Sequence, residues 1–229
     1  LVARREQRLD ELEQTLMQMY DVAVKVAAVD LARSDFLTEI LPLTNPLEIG
    51  LLVNCAGFSI TGAFLDNDLQ KELDMLHVNC RAPVLLAHTY SKEMANRKRG
   101  GIVFVSSSVA FSPVPYWTHY SASKAHNAFL GEGLSYELKH EGIDVLTVCP
   151  GGTKTEFQEI AGIRDVGAMS ASSVVTATIR HLGKKSLIIP GWHNRLLYSG
   201  VSKLLPKRLK LRLFASTVHS MQTNTKGSR

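Results

Sequence analysis

Tyr120 and Lys124 stand four residues apart in a stretch of helical character, a spacing that puts both side chains on one helix face. A free tyrosine has a pKa of about 10, too high for ready proton exchange at neutral pH. A neighbouring ammonium favours the phenolate, so the pair suits general acid/base work. On an exposed helix the same pair would be no more than a tyrosine beside a solvated lysine. Ser107 lies 13 residues before Tyr120, inside Ser106-Ser107-Ser108 at the end of an apolar run, Ile102–Val105. A hydroxyl at the carboxyl end of a strand can donate to a carbonyl oxygen as negative charge develops on it. A serine triplet there would equally serve as a loop or a helix N-cap.

Two further apolar runs end in comparable turns. Leu51-Leu52-Val53 runs into Asn54-Cys55-Ala56-Gly57, where small residues let the backbone approach a ligand. Val145–Val148 runs into Cys149-Pro150-Gly151-Gly152-Thr153-Lys154-Thr155. Each alone is compatible with a routine strand-to-helix connection. Three such turns at successive strand ends describe a pocket.

The elements that must position these residues alternate between strand-length apolar runs and helical stretches, the pattern of a parallel sheet covered on both faces. Strands are predicted over Val22–Val29, Ile49–Val53, Ile102–Val105, Ile143–Val148 and Ser186–Ile189. Helices are predicted over Arg5–Met19, Ser34–Leu43, Trp117–His140 and Ala171–His181. A long helical stretch, Asp66–Arg97, is expected to break near Met75–His77. Pro42 and Pro46 should end the second helix, and Gly142 the one carrying Tyr120. Two basic helical segments flank Pro206. The fold class is therefore α/β, a doubly wound parallel sheet in a three-layer α/β/α arrangement. The single domain is expected over residues 1–215, with 216–229 as a tail.

The 229 residues, 45% apolar and 21% charged, suffice for one domain with a sizeable core. No run of eighteen apolar residues exists, and no signal-peptide core opens the chain, so a cytoplasmic protein is expected. Cys55, Cys80 and Cys149 sit far apart inside apolar runs, without metal-ligand spacing, and are expected to be buried, reduced thiols. The net charge of +5 is uneven: residues 166–229 hold 11 Lys or Arg and no Asp or Glu. Such a tail suits a solvated helix face, a partner subunit or an anionic membrane surface; no nucleic-acid motif accompanies it. In Leu196–Phe214, Leu, Lys and Arg interleave at helical spacing, as an interfacial helix would.

Taken together, Asn54-Cys55-Ala56-Gly57, Asn79 in His77-Val78-Asn79-Cys80, Ser107, Tyr120-Ser121-Ala122-Ser123-Lys124 and Pro150-Gly151-Gly152-Thr153-Lys154-Thr155 resemble the ordered signature of the short-chain dehydrogenase/reductase family. The resemblance covers nearly the whole chain and implies a Rossmann-like fold. It implies Tyr120 as catalytic acid/base, with Lys124 holding the cofactor ribose and lowering the tyrosine pKa. Ser107 would polarise the substrate carbonyl, and Asn79 would anchor a water in a proton relay. Ser107 is preferred over its neighbours because the family usually places this serine 13 residues before the tyrosine. Asn54, Ala56 and Gly57 would lie along the adenosine ribose, Asp30 beside the adenine, and Pro150, Gly151, Thr153 and Thr155 on the nicotinamide and pyrophosphate side. Arg4 falls where NADP-preferring members carry a base, and Ala3 where NAD-preferring members carry an acid. NADP is therefore the expected cofactor, with NAD second; an exposed helix start would account for Arg4 equally. Homo-oligomers are implied through the long helices Asp66–Arg97 and Trp117–His140.

The opening departs from the family pattern. Leu1-Val2-Ala3 reads as the end of a strand, and the first glycine is Gly50, so the glycine-rich phosphate loop and its βα unit are missing. A chain that opens mid-strand without Met is expected to be N-terminally truncated. The substrate is read as a small-molecule carbonyl or secondary alcohol, apolar in character. The segments expected to line its pocket are Phe58–Asp66, Phe111–Trp117 and Glu156–Met169, with Phe58, Phe64, Phe111, Tyr116, Trp117 and Phe157. The same aromatics could pack the core. The alternative function is a non-catalytic nucleotide-binding or scaffold protein that keeps the fold without the phosphate loop.

Overall fold

The computed structural model describes residues 1–157, 161, 168–196 and 205–222. Its contacts divide into two compact units, Leu1–Ile49 and Gly50–Arg229.

In the first unit, strand β1 (Val2–Ala3) pairs in parallel with β2 (Ala27–Ala28). Between them runs helix α1 (Glu6–Tyr20), which buries Leu9 and ends at Asp21 in the left-handed region, φ 50°. Strand structure covers only two residues of the predicted Val22–Val29. Helix α2 spans Leu37–Thr44 and continues through Pro42, so that proline does not end it. A proline inside a helix forfeits its own N–H bond. The chain still closes the last turn through Asn45 N–H to the Leu41 carbonyl at 2.8 Å.

The second unit is built on four parallel strands in the order β3 (Leu51–Asn54), β4 (Gly100–Val105), β5 (Ile143–Val148) and β8 (Leu187–Ile188). The register pairs Asn54 with Phe104 and Val105 with Val148. Strands β4 and β5 are buried on both faces, and the side-chain alternation shows by what. Val103, Leu146, Val148 and Ile188 cluster with Val174 and Ala177 of helix α6 (Ala171–His181). Their sequence neighbours Phe104 and Thr147 lie under Gly131 of helix α5 (Thr118–Glu137), where an added Cβ would strike Thr147 Oγ1. One helix therefore covers each face, which gives three layers. Gly142, at φ 75°, ends the α5 segment as expected.

Between β3 and β4 run helices α3 (Leu69–Leu76) and α4 (Ala82–Asn96), separated by a π-type turn over His77–Arg81. The break thus falls beside the predicted Met75–His77. Insertions of this kind concentrate at functional sites, and this one carries Asn79. Two short parallel strands, β6 (Thr153–Lys154) and β7 (Met169–Ser170), were not expected and pair with each other after β5. A short helix α7 (Trp192–Arg195) follows β8, and helix α8 (Lys207–Gln222) lies beyond Pro206. Residues 158–160, 162–167, 197–204 and 223–229 are outside the described residues. These hold most of the expected pocket segment after Phe157, the basic segment before Pro206 and the polar tail. Among the described residues, no helix is long and apolar enough to cross a membrane.

Candidate active site

Strand ends β3, β4 and β5 meet the π-type turn and the first turns of α5, and the site is assembled there. Tyr120 is 5% exposed and Lys124 4%, one helical turn apart on the inward face of α5. Lys124 Nζ donates to the Val105 carbonyl at the end of β4, 3.0 Å away, and sits 5.8 Å from the centre of the Tyr120 ring. Ser107 extends from the same strand end and lies close enough to the Tyr120 hydroxyl to lower its pKa. Ser106 is turned the other way, its hydroxyl donating to the Lys124 carbonyl at 2.7 Å, while Ser108 is buried.

Asn79 is completely buried. Its Nδ2 donates to the Phe58 carbonyl and to Ser123 Oγ, both at 3.0 Å, and its Oδ1 accepts the Phe58 N–H at 3.1 Å. Ser123 Oγ in turn donates to the Tyr120 carbonyl at 2.8 Å. Asn79 thus ties the loop after β3 to the helix that carries Tyr120. A Cβ added to Gly57 would lie 2.9 Å from Asn79 Oδ1 and 3.3 Å from Lys124 Nζ, so those two atoms flank one point and only glycine fits there.

Burial dominates the electrostatics. It pushes the Tyr120 phenol well above its ordinary value, against the lowering effect of the Ser107 hydroxyl. The depressed tyrosine pKa expected from Lys124 is therefore absent from the protein alone. Burial likewise pushes the Lys124 ammonium down, opposed by Cys55, Cys80 and Cys149 nearby. A lysine disfavoured by its own surroundings exerts little pull on a buried phenol. Cys80 rises to about 11 and Cys149 to about 12, both by burial, as expected of inert thiols. Cys55 departs from expectation: it is exposed at the end of β3. Among the described residues, no three His, Cys, Asp or Glu side chains gather as a metal site.

The chamber in front of Tyr120 is apolar. Trp117 and Phe157 stand 5.5 and 5.8 Å from its ring, centre to centre. Met75, Val109, Val114 and Val218 are buried with it, and Phe58, Ile60 and Phe214 pack alongside. Of the six aromatics expected here, Phe58, Trp117 and Phe157 arrive. Phe64 and Tyr116 are 61% and 41% exposed, and Phe111 lines a separate cavity on the outer side of α5. A three-residue helical turn, Phe64–Asp66, carries Phe64 outward, and a left-handed backbone at Tyr116, φ 63°, turns that ring away. Val218 and Phe214 come from α8, distant in sequence and missed beforehand; their spacing of four on one helix face was the available signal.

The residues present fit a dinucleotide along the strand ends. Asn54 is 8% exposed, yet its Nδ2 has no partner in the protein. A buried amide of that kind needs a ligand to satisfy it. The glycine at 57 leaves a cradle beside the Lys124 ammonium, with Ala56 before it. Pro150 accepts the Ser108 N–H at 2.8 Å, Thr153 Oγ1 donates to the Gly151 carbonyl at 3.1 Å, and Thr155 Oγ1 accepts the Phe157 N–H at 3.4 Å. Gly151 itself is covered by the Asn194 side chain. In the other unit, Arg4 is exposed immediately after β1, and Asp30 follows β2 with its Oδ1 accepting the Ala32 N–H at 2.9 Å.

Comparison with known proteins accords with this geometry. The family model for short chain dehydrogenase matches residues 1–162. The chain is 28% identical to a 7beta-hydroxysteroid dehydrogenase of Clostridium sardiniense over 199 residues, 85% of this chain and 76% of that protein. It is 33% identical to a very-long-chain 3-oxoacyl-CoA reductase of Anas platyrhynchos over 166 residues, 70% of this chain but only about half (53%) of the relative. Among solved structures, a short-chain dehydrogenase from Sphingobium yanoikuyae in complex with NADPH superposes with a TM-score of 0.79 at 30% identity, covering 93% of this chain and 84% of that one. A 7beta-hydroxysteroid dehydrogenase structure reaches 0.86 at 24% identity, covering 93% and 85%. With the fold, the ordered motifs and this match in hand, the chain belongs to the short-chain dehydrogenase/reductase family of nicotinamide-dependent oxidoreductases.

Proposed function

We propose that the chain acts as an NADP(H)-dependent reductase or dehydrogenase on the carbonyl or secondary alcohol of a bulky apolar substrate. The observation that carries this reading is Tyr120, buried on α5 beside Ser107 while Trp117, Phe157, Val109 and Val114 wall its ring. A carbonyl seated there meets two hydroxyl donors in an otherwise apolar chamber. Such preorganised donors stabilise developing oxyanion charge most where water is excluded. The indole Nε1 of Trp117 and the hydroxyl of Ser59, both buried with no partner among the described residues, are further polar contacts open to a substrate.

A bound NADP(H) supplies or accepts the hydride. Asn54, Ala56, Gly57, Lys124, Pro150, Gly151, Thr153 and Thr155 would hold it. In reduction, Tyr120 gives its proton to the substrate oxygen and Ser107 donates a hydrogen bond to it. Burial keeps the Tyr120 phenol protonated in the protein by itself, so the proton to be transferred is in place. Asn79 holds Phe58 and Ser123 with its side chain, so a relay water would rest on its backbone carbonyl.

Relatives named for a 7β-hydroxysteroid and for very-long-chain 3-oxoacyl-CoA support a large apolar substrate. A homo-oligomer is supported by the outer face of α5, where Phe129 and Tyr136 are 77% and 79% exposed. Contact with an anionic membrane is supported by α8, where Leu209 and Leu213 are exposed among Lys207, Arg208 and Arg212.

The test is calorimetric titration with NADPH and NADH, followed by turnover of a 7-oxosteroid, a long-chain 3-oxoacyl thioester and benzil. NADPH binding at least tenfold tighter than NADH, with turnover that Tyr120→Phe abolishes, is the expected result. Failure of both cofactors to bind would favour a scaffold that keeps the fold.

A further inference from the structure

We infer that Glu72 is a positioning hub which, through Asn67 and His119, fixes the substrate side of the site to the helix carrying Tyr120. The inference rests on the reading of Tyr120 as the acid/base. Glu72 lies in the first turn of α3 and is 4% exposed. A buried carboxylate is costly unless its oxygens are paired. Both are: Oε1 accepts from Asn67 Nδ2 and Oε2 meets His119 Nδ1, each at 2.7 Å. For a carboxylate partner, the imidazole must carry its proton at Nδ1.

Each arm reaches one wall of the chamber. Asn67 follows the turn Phe64–Asp66, and its Oδ1 occupies the space 2.9 Å from where a Cβ on Gly62 would sit. Gly62, at φ 135°, donates its N–H to the Tyr116 carbonyl at 2.9 Å. Tyr116 is itself in the left-handed region, a conformation costly in a non-glycine residue that persists only where its surroundings over-determine it. His119 directly precedes Tyr120. The hydrogen bonds therefore close a ring from the loop after β3, through α3, to the start of α5 and back. Trp117 lies on that ring and Ile60 two residues before Gly62, and both pack on the Tyr120 cluster. Met75, one turn after Glu72 on the same helix face, is buried in that cluster too.

The partners of this network all lie on the substrate side. Among the described residues, Asn54, Gly57, Lys124 and the Pro150–Thr155 segment make no hydrogen bond to it, so loosening the hub should spare cofactor binding. Glu72→Leu keeps the bulk and removes both acceptors. Glu72→Gln keeps one acceptor and offers an N–H to His119, which can accept at Nδ1 by changing tautomer. Neither Glu72 nor His119 is a catalytic residue on this account.

The experiment measures NADPH-dependent reduction of benzil, NADPH affinity, and acrylamide quenching of Trp117 in a Trp192→Phe background, since the chain has two tryptophans. For Glu72→Leu, kcat/KM is expected to fall 10- to 100-fold through both a higher benzil KM and a lower kcat. NADPH affinity stays within twofold, and Trp117 quenching rises at least twofold. Glu72→Gln recovers kcat/KM to within about threefold, and His119→Ala repeats the leucine result without adding to it in the double variant. Should Glu72→Leu fail to fold, the Gln and His119→Ala variants decide. A Glu72→Leu or His119→Ala protein with unchanged kcat/KM and unchanged quenching overturns the proposal, as does a parallel loss of NADPH affinity. If wild type does not reduce benzil, the activity reading is what suffers, and the quenching arm still decides the role of the hub.

Discussion

Replacing Asn79 with alanine should unfold the protein at a markedly lower temperature, independent of any catalytic role. The side chain is completely buried and makes three hydrogen bonds, to the Phe58 carbonyl, the Phe58 N–H and Ser123 Oγ. At about 1 kcal/mol net for each bond, their loss amounts to about 3 kcal/mol. The cavity left by the truncated amide raises the total to roughly 3–5 kcal/mol. A protein of this length loses about 2–4 °C of Tm per kcal/mol, so a fall of roughly 6–20 °C is expected. Differential scanning calorimetry of the cofactor-free protein at pH 7 reads this directly. Asn79→Asp keeps the shape but sets a buried carboxylate oxygen against the Phe58 carbonyl and Ser123 Oγ, and should fall at least as far. A decrease under about 3 °C for Asn79→Ala would refute the reasoning: the loop after β3 would then be held by something other than this side chain.

Lys124→Met should reduce turnover at least 100-fold while leaving Tm unchanged or up to about 4 °C higher, because it removes a buried ammonium at the cost of one bond to Val105; a large loss of Tm would show that the lysine is a net stabiliser. The depressed Lys124 pKa also has a sign. The unfolded chain binds that proton more readily, so this group's contribution to stability grows as pH rises from the folded pKa towards the ordinary value of 10.5. Wild type should accordingly gain on Lys124→Met over that alkaline range in paired urea melts, and parallel curves would contradict it. In cofactor-free protein, difference absorbance between wild type and Tyr120→Phe should show no phenolate step below pH 10, since burial holds the phenol protonated; a step between pH 6 and 9 would show that Lys124 governs it after all. Phe129→Asp should shift an oligomer towards monomer in sedimentation velocity, with Tyr136→Asp adding to it, and an unchanged coefficient for both would remove the outer face of α5 from any assembly.

What the sequence determined by itself was the chemistry and its order along the chain. Periodicity and strand-end turns placed Ser107, Tyr120 and Lys124 on a strand end and a helix, because residues a few positions apart obey local geometry. The helix ending at Gly142, strand β5 and helix α6 followed from the same local rules. Local rules also ran out where expected. They counted Pro42 with Pro46 among the breakers of α2, yet the helix runs through Pro42 to Thr44, because a helix tolerates one missing donor when the rest of its turns hold. They stretched β2 beyond its two paired residues, because strand length depends on a partner that pattern cannot supply.

Only the tertiary structure decided which aromatics face Tyr120. Phe58, Trp117 and Phe157 turn inward, whereas Phe64 and Tyr116 do not, and a left-handed residue and a short helical turn set that difference. It brought Phe214 and Val218 to the site from about 100 residues away. It joined Glu72 to His119 across 47 positions and gave Asn79 its partners across 21 and 44. It also reversed the expected direction of the Tyr120 pKa. The spacing of Tyr120 and Lys124 fixes their proximity, but the shift depends on how much water the whole fold removes around both, and desolvation is a property of packing that no short motif encodes.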